Sequence, residues 1–318
     1  MNFTKTTTVA AAVVLLAGPV AAQTVGIGTT AKGATSQVTA AIASVVSKFG
    51  GMQMRPSPMA GTQKYIPAVN SGSLEFGAAN IMQTTWAIKG QVLSKGLPNP
   101  NIKLVSTLMK FRVGPLVGKK TSFQSVSDLK GLKAPTGFKA APLFNELISA
   151  ALATKNLTIA DTKNVPISAL VPSWKALMER KVDFAIGAYG SGFMKLIAKK
   201  LGGIRFISLD DSPAVLAKVS KMLPGADIRT VKPNPKIPGV EVPTKLFHFD
   251  YILFAGKHVS DDVVYRVAKA MHQNKKALVA SSPMWRGFSA KGMSKDQNGL
   301  EYHSGAIKLF KEKGIWKR

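Results

Sequence analysis

The strongest constraint on the fold is a pattern that the chain contains twice. "AVNSGSLEFGAAN" runs from residue 68 to residue 80, and "ALMERKVDFAIGA" runs from 176 to 188. Phe76 aligns with Phe184 at a separation of 108 residues, and Glu75 aligns with Asp183. Each segment has the form of a helix end, a polar turn and a short apolar strand. The repetition predicts two similar structural units within one chain.

A second pair of similar segments predicts how these units are joined. "FRVGPLVGKK" begins at Phe111 and "FDYILFAGKH" begins at Phe249. Each is an apolar extended segment before a capped helix, so we predict two crossings, near residues 113–116 and 251–254. The predicted fold is α/β, with two similar lobes of mixed sheets flanked by helices and a two-segment hinge. The predicted lobes are residues 23–113 with 252–318 (lobe I) and residues 114–251 (lobe II).

Strands and helices alternate along most of the chain, which favours largely parallel sheets. Ser36 is the predicted cap of a helix that ends at Phe49, and Gly50 and Gly51 end it. Prolines and glycines between residues 224 and 243 predict an irregular surface arm. A strong amphipathic pattern predicts one helix over residues 261–280.

The first residues predict export. Lys5 precedes an apolar run from Val9 to Val20, and "VAA" precedes Gln23. This is typical of a secretory signal peptide over residues 1–22, cleaved near Ala22, and predicts a periplasmic protein. The run is too short to span a bilayer, although a retained anchor stays the alternative. The chain has no cysteine, which excludes disulfides, thiol catalysis and a lipid anchor on cysteine.

The charge balance indicates what kind of partner the protein attracts. Lys and Arg total 43 against 16 Asp and Glu, a formal net charge of +27. Such a field favours anionic partners. The basic residues are spread along the chain without a run of five, and an exported protein seldom meets nucleic acid, so no nucleic-acid partner is expected. A solvated basic surface is the alternative for most of the lysines.

Several segments, in this order, resemble one family of transport proteins. They are "VGIGTTAKG", "GTQKYIPAVNSGSLEFGAANIMQ", "SVSDLKGLKA", "MERKVDFAIGAYGSG", "DYILFAGKHVSDDVVYRVAKAM" and "YHSGAIKLFKEKGIW". The chain resembles the TAXI-type solute-binding proteins of TRAP transporters, which are type II periplasmic binding proteins. The resemblance implies a small carboxylate ligand, such as a dicarboxylate or a glutamate-like amino acid, delivered to TRAP membrane subunits. Residues 29–36 and 136–140 depart from the family pattern where ligand contacts would lie.

The first loop contains G-x-G-x-x-A, from Gly26 to Ala31. A dinucleotide site also needs an acidic residue about 20 positions on, but no Asp or Glu precedes Glu75. The loop N–H groups and the helix start are better suited to a carboxylate. We expect Lys32 and Lys139 to steer an anion towards the cleft.

The candidate ligand-binding residues all lie at predicted strand ends or helix starts. Ordinary turn and capping roles are the alternative for each of them. The candidates are Thr29, Thr30, Ser36, Gly61, Thr62, Asn80, Thr136, Gly137, Lys139 and Tyr189.

No catalytic or metal-binding pattern is present in the sequence. The four histidines lack metal-ligand spacing, and Ser191 in "GAYGSG" is not at the centre of G-x-S-x-G. We therefore expect a monomeric binding protein with no catalytic residue, metal or cofactor. Two alternatives stay open: a sulfonate- or nitrate-type binding protein of an ATP-driven (ABC) transporter, and a periplasmic enzyme acting on an anion.

Overall fold

A computed structural model describes residues 23–317, so the predicted signal peptide lies outside the described residues. The described chain contains ten strands and ten α-helices, together with short 3-10 helices. The strands are β1 (Thr24–Thr30), β2 (Gln53–Met59), β3 (Phe76–Asn80), β4 (Ile102–Gly118), β5 (Lys133–Gly137), β6 (Lys163–Ile167), β7 (Ala185–Ala188), β8 (Ile204–Phe206), β9 (Asp227–Val231) and β10 (Thr244–Gly256).

The helices follow the strands in alternation through the first two thirds of the chain. Within the described residues, no helix has the length and apolar character needed to cross a membrane. The helices are α1 (Ala34–Phe49), α2 (Thr62–Ser71), α3 (Ile81–Lys89), α4 (Leu143–Ala153), α5 (Leu170–Met178), α6 (Gly192–Leu201), α7 (Pro213–Met222), α8 (Asp261–Gln273), α9 (Lys275–Ser281) and α10 (Ser304–Glu312).

Two long strands connect the lobes. The main sheet has the order β2-β1-β3-β10-β4-β7, with β8 also paired to β4 and β9 to β10. Strand β1 is parallel to β2 and β3, whereas β4 and β10 are antiparallel to each other and to their other neighbours. Strands β5 and β6 form a separate parallel pair. The result is the predicted two-lobe α/β architecture, with mixed sheets flanked by helices.

The similar segments that start at Phe111 and Phe249 lie on these two long strands. Phe111 is directly opposite Phe249 in the ladder, and their rings stack at 5.9 Å with an interplanar angle of 6°. Residues 113–116 of β4 pair with β7, and residues 251–255 of β10 pair with β3. The crossing is therefore centred on the phenylalanine pair, between the two predicted windows. The exact limits of the lobes stay a prediction.

The acid–Phe repeat has one structural role in both lobes. A Glu75 carboxylate oxygen accepts a hydrogen bond from Gly26 N at 2.6 Å, and Asp183 accepts one from Lys133 N at 2.7 Å. In each lobe the acid just before the later strand, β3 or β7, is thus hydrogen-bonded to the backbone of an earlier strand, β1 or β5. The phenylalanine that follows each acid is fully buried. The sequence pattern occurs twice because each lobe contains the same hydrogen bond between an acid and an earlier strand, followed by the same buried phenylalanine.

Apolar residues fill both faces of the sheets. One large core contains residues of α1, α4 and α8. The opposite face is covered by α5 and α6 in lobe II and by α2 and α3 in lobe I. Helices on both faces leave the strand ends as the edge where polar side chains gather.

Three predicted elements differ in the structure. Helix α1 begins at Ala34 because Gly33, with φ of 96°, turns the chain before Ser36, so Ser36 does not cap it. The predicted helix over residues 261–280 is divided at Asn274, whose backbone is not helical. The predicted irregular arm contains β9, because Ile228 and Val231 are buried where this segment pairs with β10.

Candidate functional site

Six strands lead at their carboxyl ends directly into helices, and two of these strand ends lie beside the crossing. Strands β1, β2 and β3 lead into α1, α2 and α3, and β5, β6 and β7 lead into α4, α5 and α6. Strand β3 ends at Asn80, which pairs with Tyr251, and β7 ends at Ala188, which pairs with Val113. We call these strand ends and the helix starts that follow them the interlobe edge. Ligands of open α/β sheets bind at such edges.

Five of the six helices at the interlobe edge start without a side-chain cap. The N-cap residues of α1, α2, α4, α5 and α6 are Gly33, Gly61, Pro142, Ala169 and Ser191, and none of their side chains bonds to the first turn. The first-turn N–H groups of a helix have no intrahelical partner and carry partial positive charge. The interlobe edge therefore presents several sets of N–H donors suited to an anion.

A chain of hydroxyl groups holds the start of α1 against the crossing. The Thr35 hydroxyl is hydrogen-bonded to the Tyr251 hydroxyl. Tyr65 is close enough to interact electrostatically with Tyr251, and its own hydroxyl donates to the Ala78 carbonyl at 2.6 Å. Burial raises the pKa of Tyr251 to about 12 and that of Tyr65 well above its usual value. Both phenols thus stay neutral and do not repel an anion.

An amide network joins the starts of α2 and α3. The Gln83 side chain donates to the Thr62 hydroxyl at 2.7 Å and accepts from the Asn80 side chain at 2.5 Å. The Asn80 side-chain oxygen accepts from Gln83 N at 2.9 Å, which caps α3. Thr62 and Asn80 thus lie together at the interlobe edge. The Asn80 side chain, however, already forms two hydrogen bonds with Gln83. Its first role is therefore to hold the starts of α2 and α3 in position.

The other lobe I candidates are close to one another at the start of α1. Thr29 is buried and its hydroxyl accepts from Thr39 at 2.6 Å. The Thr30 hydroxyl donates to the Lys32 carbonyl at 2.9 Å, which stabilises the loop. Ser36 is half-buried in the first turn of α1. Their side chains shape the loop around the free N–H groups of α1.

The lobe II candidates are less closely grouped. Thr136 lines a cavity of about 270 Å³ together with Asn145. The Gly137 carbonyl accepts from the Asn145 side chain at 3.2 Å, and Lys139 is exposed. Tyr189 lies against Phe206 and lines a different cavity. Among the described residues, no hydrogen bond joins a lobe I candidate to a lobe II candidate.

Aromatic rings form the floor of the interlobe edge beside α1. The Phe111 ring contacts both Phe249 and Tyr251, with centroids 5.9 and 5.2 Å apart. The sequence candidates did not include these three residues. The similarity of the segments at Phe111 and Phe249 was the signal that could have identified them, because it marks the point where the two strands cross. Within residues 23–317, no group of three or more potential metal-ligating side chains occurs.

Comparison with known proteins identifies the family. The model of the NMT1-like family matches residues 27–314. The chain belongs to the NMT1-like family. A search of curated proteins gave no match.

The fold of this NMT1-like protein is that of periplasmic binding proteins. PhnD1 from Prochlorococcus marinus, solved with methylphosphonate, aligns with a TM-score of 0.58 and 9% identity over 92% of this chain and 99% of that chain. A protein described as the periplasmic sulfonate-binding protein of a sulfonate ABC transporter from Methylobacillus flagellatus gives 0.55 and 16% over 93% and 97%. The periplasmic aliphatic sulphonate-binding protein from Escherichia coli gives 0.50 and 12% over 93% and 89%.

Proposed function

We propose that this NMT1-like protein is a periplasmic solute-binding protein. In this proposal it captures a small organic anion at the interlobe edge and delivers it to a membrane transporter. The two lobes close on the ligand about the crossing strands, and the closed form is the one that the transporter recognises. The protein binds its ligand without converting it.

The observation that carries the proposal is the set of uncapped helix starts at the interlobe edge. The starts of α1, α2, α5 and α6 also have no acidic residue in the first turn. Backbone N–H groups can therefore pair with an anion without a buried lysine or arginine, which would itself have to lose its hydration. The formal net charge of +27 attracts anions to the molecule from a distance.

For the ligand we favour a sulfonate or a phosphonate, and for the partner an ABC transporter. The similar structures include two sulfonate-binding proteins and one protein in complex with methylphosphonate. A tetrahedral oxoanion has several acceptor oxygens and can therefore accept hydrogen bonds from more than one helix start.

A dicarboxylate or glutamate-like ligand delivered to TRAP membrane subunits is the second candidate. It is favoured by the ordered similarity to TAXI-type proteins, from "VGIGTTAKG" to "YHSGAIKLFKEKGIW". The family match is consistent with either candidate. The two candidates predict different ligands and can be separated by direct binding measurements.

The test is a ligand screen on the mature protein. Thermal unfolding would be measured with alkylsulfonates, alkylphosphonates, nitrate, dicarboxylates and glutamate at constant ionic strength. A ligand at 100 times its Kd stabilises the folded state by about 2.7 kcal/mol. We expect a sulfonate or phosphonate to raise Tm, and solution scattering to show a smaller radius of gyration with that ligand. A panel in which no anion raises Tm would contradict the proposed function.

A further inference from the structure

A second cavity lies against the crossing strands, away from the uncapped start of α1. Its volume is about 320 Å³, which is at the small end of ligand pockets. We call it the rear basin and define it by Arg112, Tyr189, Lys232, Asn234, Ile237 and His248, which line it.

The strand register places the rear basin on the opposite face from the ring floor. Arg112 is directly opposite His248 in the ladder, and Phe111 is directly opposite Phe249. Opposite residues of an antiparallel pair share a face, and successive residues alternate between faces. Phe111 also contacts Tyr251, which is bonded to Thr35 at the start of α1. The rear basin is therefore separated from the start of α1 by the crossing strands.

The rear basin has positive charge without a matching carboxylate. Arg112 and Lys232 are exposed, and neither forms an ion pair within the described residues. None of the residues that line the basin is acidic. Asp227, directly opposite His248 in the ladder, is paired with Arg229 at 2.6 Å. Among the described residues, no carboxylate is therefore paired with Arg112 or Lys232.

His248 has an unused hydrogen-bonding atom at the same place. Its Nε2 atom is buried and has no hydrogen-bond partner. Burial, followed by the charges of Arg112, Arg229 and Lys110, lowers the pKa of His248 to about 4, and Asp227 acts weakly in the opposite direction. An anion in the basin would offset this repulsion and offer an acceptor to a protonated ring.

We propose that the rear basin is a second anion site, which binds a small oxoanion such as sulfate. Arg112 presents a planar pair of N–H donors that matches two oxygens of an oxoanion. Lys232, the Tyr189 hydroxyl and the Asn234 amide supply further donors around the remaining oxygens. The site is independent of the proposed transport function, since none of the free helix starts of lobe I lines it.

The first test is a calorimetric titration of the mature protein with sodium sulfate at constant ionic strength. We expect a saturable site whose sulfate affinity falls by about tenfold or more in Arg112→Gln, because a charged hydrogen bond is lost. Arg55→Gln is the matched control. Arg55 is also an exposed strand arginine, so its replacement removes the same charge and should leave sulfate affinity nearly unchanged. Equal weakening by both variants would show that only the overall charge matters and would overturn the proposal, as would the absence of saturable binding.

The second test separates the rear basin from the interlobe edge. Thr35→Val changes the start of α1 and should leave sulfate binding intact, whereas the ligand found by screening should bind this variant more weakly. In NMR titrations, sulfate should raise the pKa of the His248 ring in the wild-type protein and not in Arg112→Gln. Sulfate binding that is lost in Thr35→Val and kept in Arg112→Gln would place the anion at the interlobe edge and overturn the proposal. The sulfate titrations and the NMR measurement do not use the screened ligand, so failure of the ligand screen would leave them unaffected.

Discussion

Helix α8 and helix α1 differ at their first turns, and the difference separates the outer surface from the interlobe edge. The Ser260 side chain accepts a hydrogen bond from Val263 N, and Asp261 and Asp262 follow in the first turn of α8. Helix α1 follows Gly33 and has neither a side-chain cap nor an acidic residue there. The first-turn N–H groups of α8 therefore have a side-chain acceptor and nearby carboxylates within the protein, whereas those of α1 remain available to an anion.

Other helices follow the same division, with informative exceptions. Two 3-10 helices begin with an acid that accepts from the backbone N–H of the N-cap residue, Asp128 from Ser125 and Asp161 from Thr158, both at 2.8 Å. Helix α7 lacks a side-chain cap, but Asp210 accepts from Ser212 N at 2.8 Å. At the interlobe edge α4 has an acid, Glu146, whose pKa is raised by burial. What distinguishes the interlobe edge is thus the combination of an uncapped helix start with a position directly after the end of a strand that leads into that helix.

The largest predicted effect comes from placing an acidic residue in the first turn of α1, as is found in α8. In Ala34→Asp, a carboxylate about 4 Å from the bound anion would oppose it by about 4 kcal/mol, which is about a thousandfold in affinity. The same carboxylate should stabilise the helix by about 0.3–1 kcal/mol. Calorimetry with the ligand from the screen and urea unfolding would measure the two effects.

The matched control for this variant is Ala214→Asp in the first turn of α7. Both changes add one negative charge at a helix start. The start of α7 lies at the C-terminal end of α4, where Asp210 pairs with Lys155. Ala214→Asp should therefore leave ligand affinity within about twofold, because charges farther apart than the Debye length of about 8 Å are largely screened. Equal losses of affinity in the two variants would mean that the start of α1 is not the anion site.

Tyr251→Phe tests how the start of α1 is held in place. The change removes the hydroxyl that bonds Thr35 and leaves a polar group short of a partner, so unfolding free energy should fall by about 1–2 kcal/mol. Ligand affinity should fall about tenfold as the first turn of α1 loosens. Denaturant unfolding and calorimetry on the same samples provide both values.

Tyr265→Phe is the control, since it removes an outer hydroxyl that donates to Glu312 at 2.5 Å. It should change stability slightly and leave ligand affinity unchanged. A Tyr251→Phe protein with wild-type affinity would show that the hydroxyl chain does not organise the site.

The architecture was more predictable from sequence than the site was. The repeats at Phe76 and Phe184, and at Phe111 and Phe249, predicted two lobes and their crossing because each lobe needs the same buried strand and the same tie to its neighbour. Tyr251 was missed because, in sequence, it has the pattern of an ordinary buried strand residue. Its role depends on Thr35, a contact across 216 residues, which no local pattern encodes.

Two further site predictions depended on information that a single sequence lacks. Asn80 lies at the predicted strand end, but its side chain pairs with Gln83 rather than remaining free. Tyr189 also ends its strand, yet it lines the rear basin with Arg112 and His248. Which face a residue occupies at the end of a strand depends on the register of the crossing strands, and sequence alone did not give that register.

A finer test compares two helices that both have a side-chain N-cap, α3 at the interlobe edge and α8 on the outer surface. Asn80→Ala and Ser260→Ala each remove an N-cap side chain and should each lower unfolding free energy by about 1 kcal/mol. Asn80→Ala should also weaken ligand binding by about three- to tenfold, because Gln83 and Thr62 lose their fixed positions. Ser260→Ala should leave binding unchanged. Stability and affinity measured on both variants test this, and equal affinities would limit Asn80 to a capping role.

The smallest effect that we predict concerns pH and the acids of the outer helix starts. Backbone N–H groups lower the pKa of Asp128, of Asp161 and, to about 2, of Asp210. A carboxyl whose folded pKa lies below its unfolded value of about 3.9 stabilises the fold above that value and loses this contribution as pH falls through the folded pKa. Stability should therefore decline between about pH 4 and pH 2, and Asp210→Asn should reduce the slope. The interlobe helix starts do not use such acids, so Ala34→Asp should add a new decline in the same range. Urea unfolding at pH 7, 4 and 2.5 on the wild type and both variants would show this, and three parallel curves would contradict the prediction.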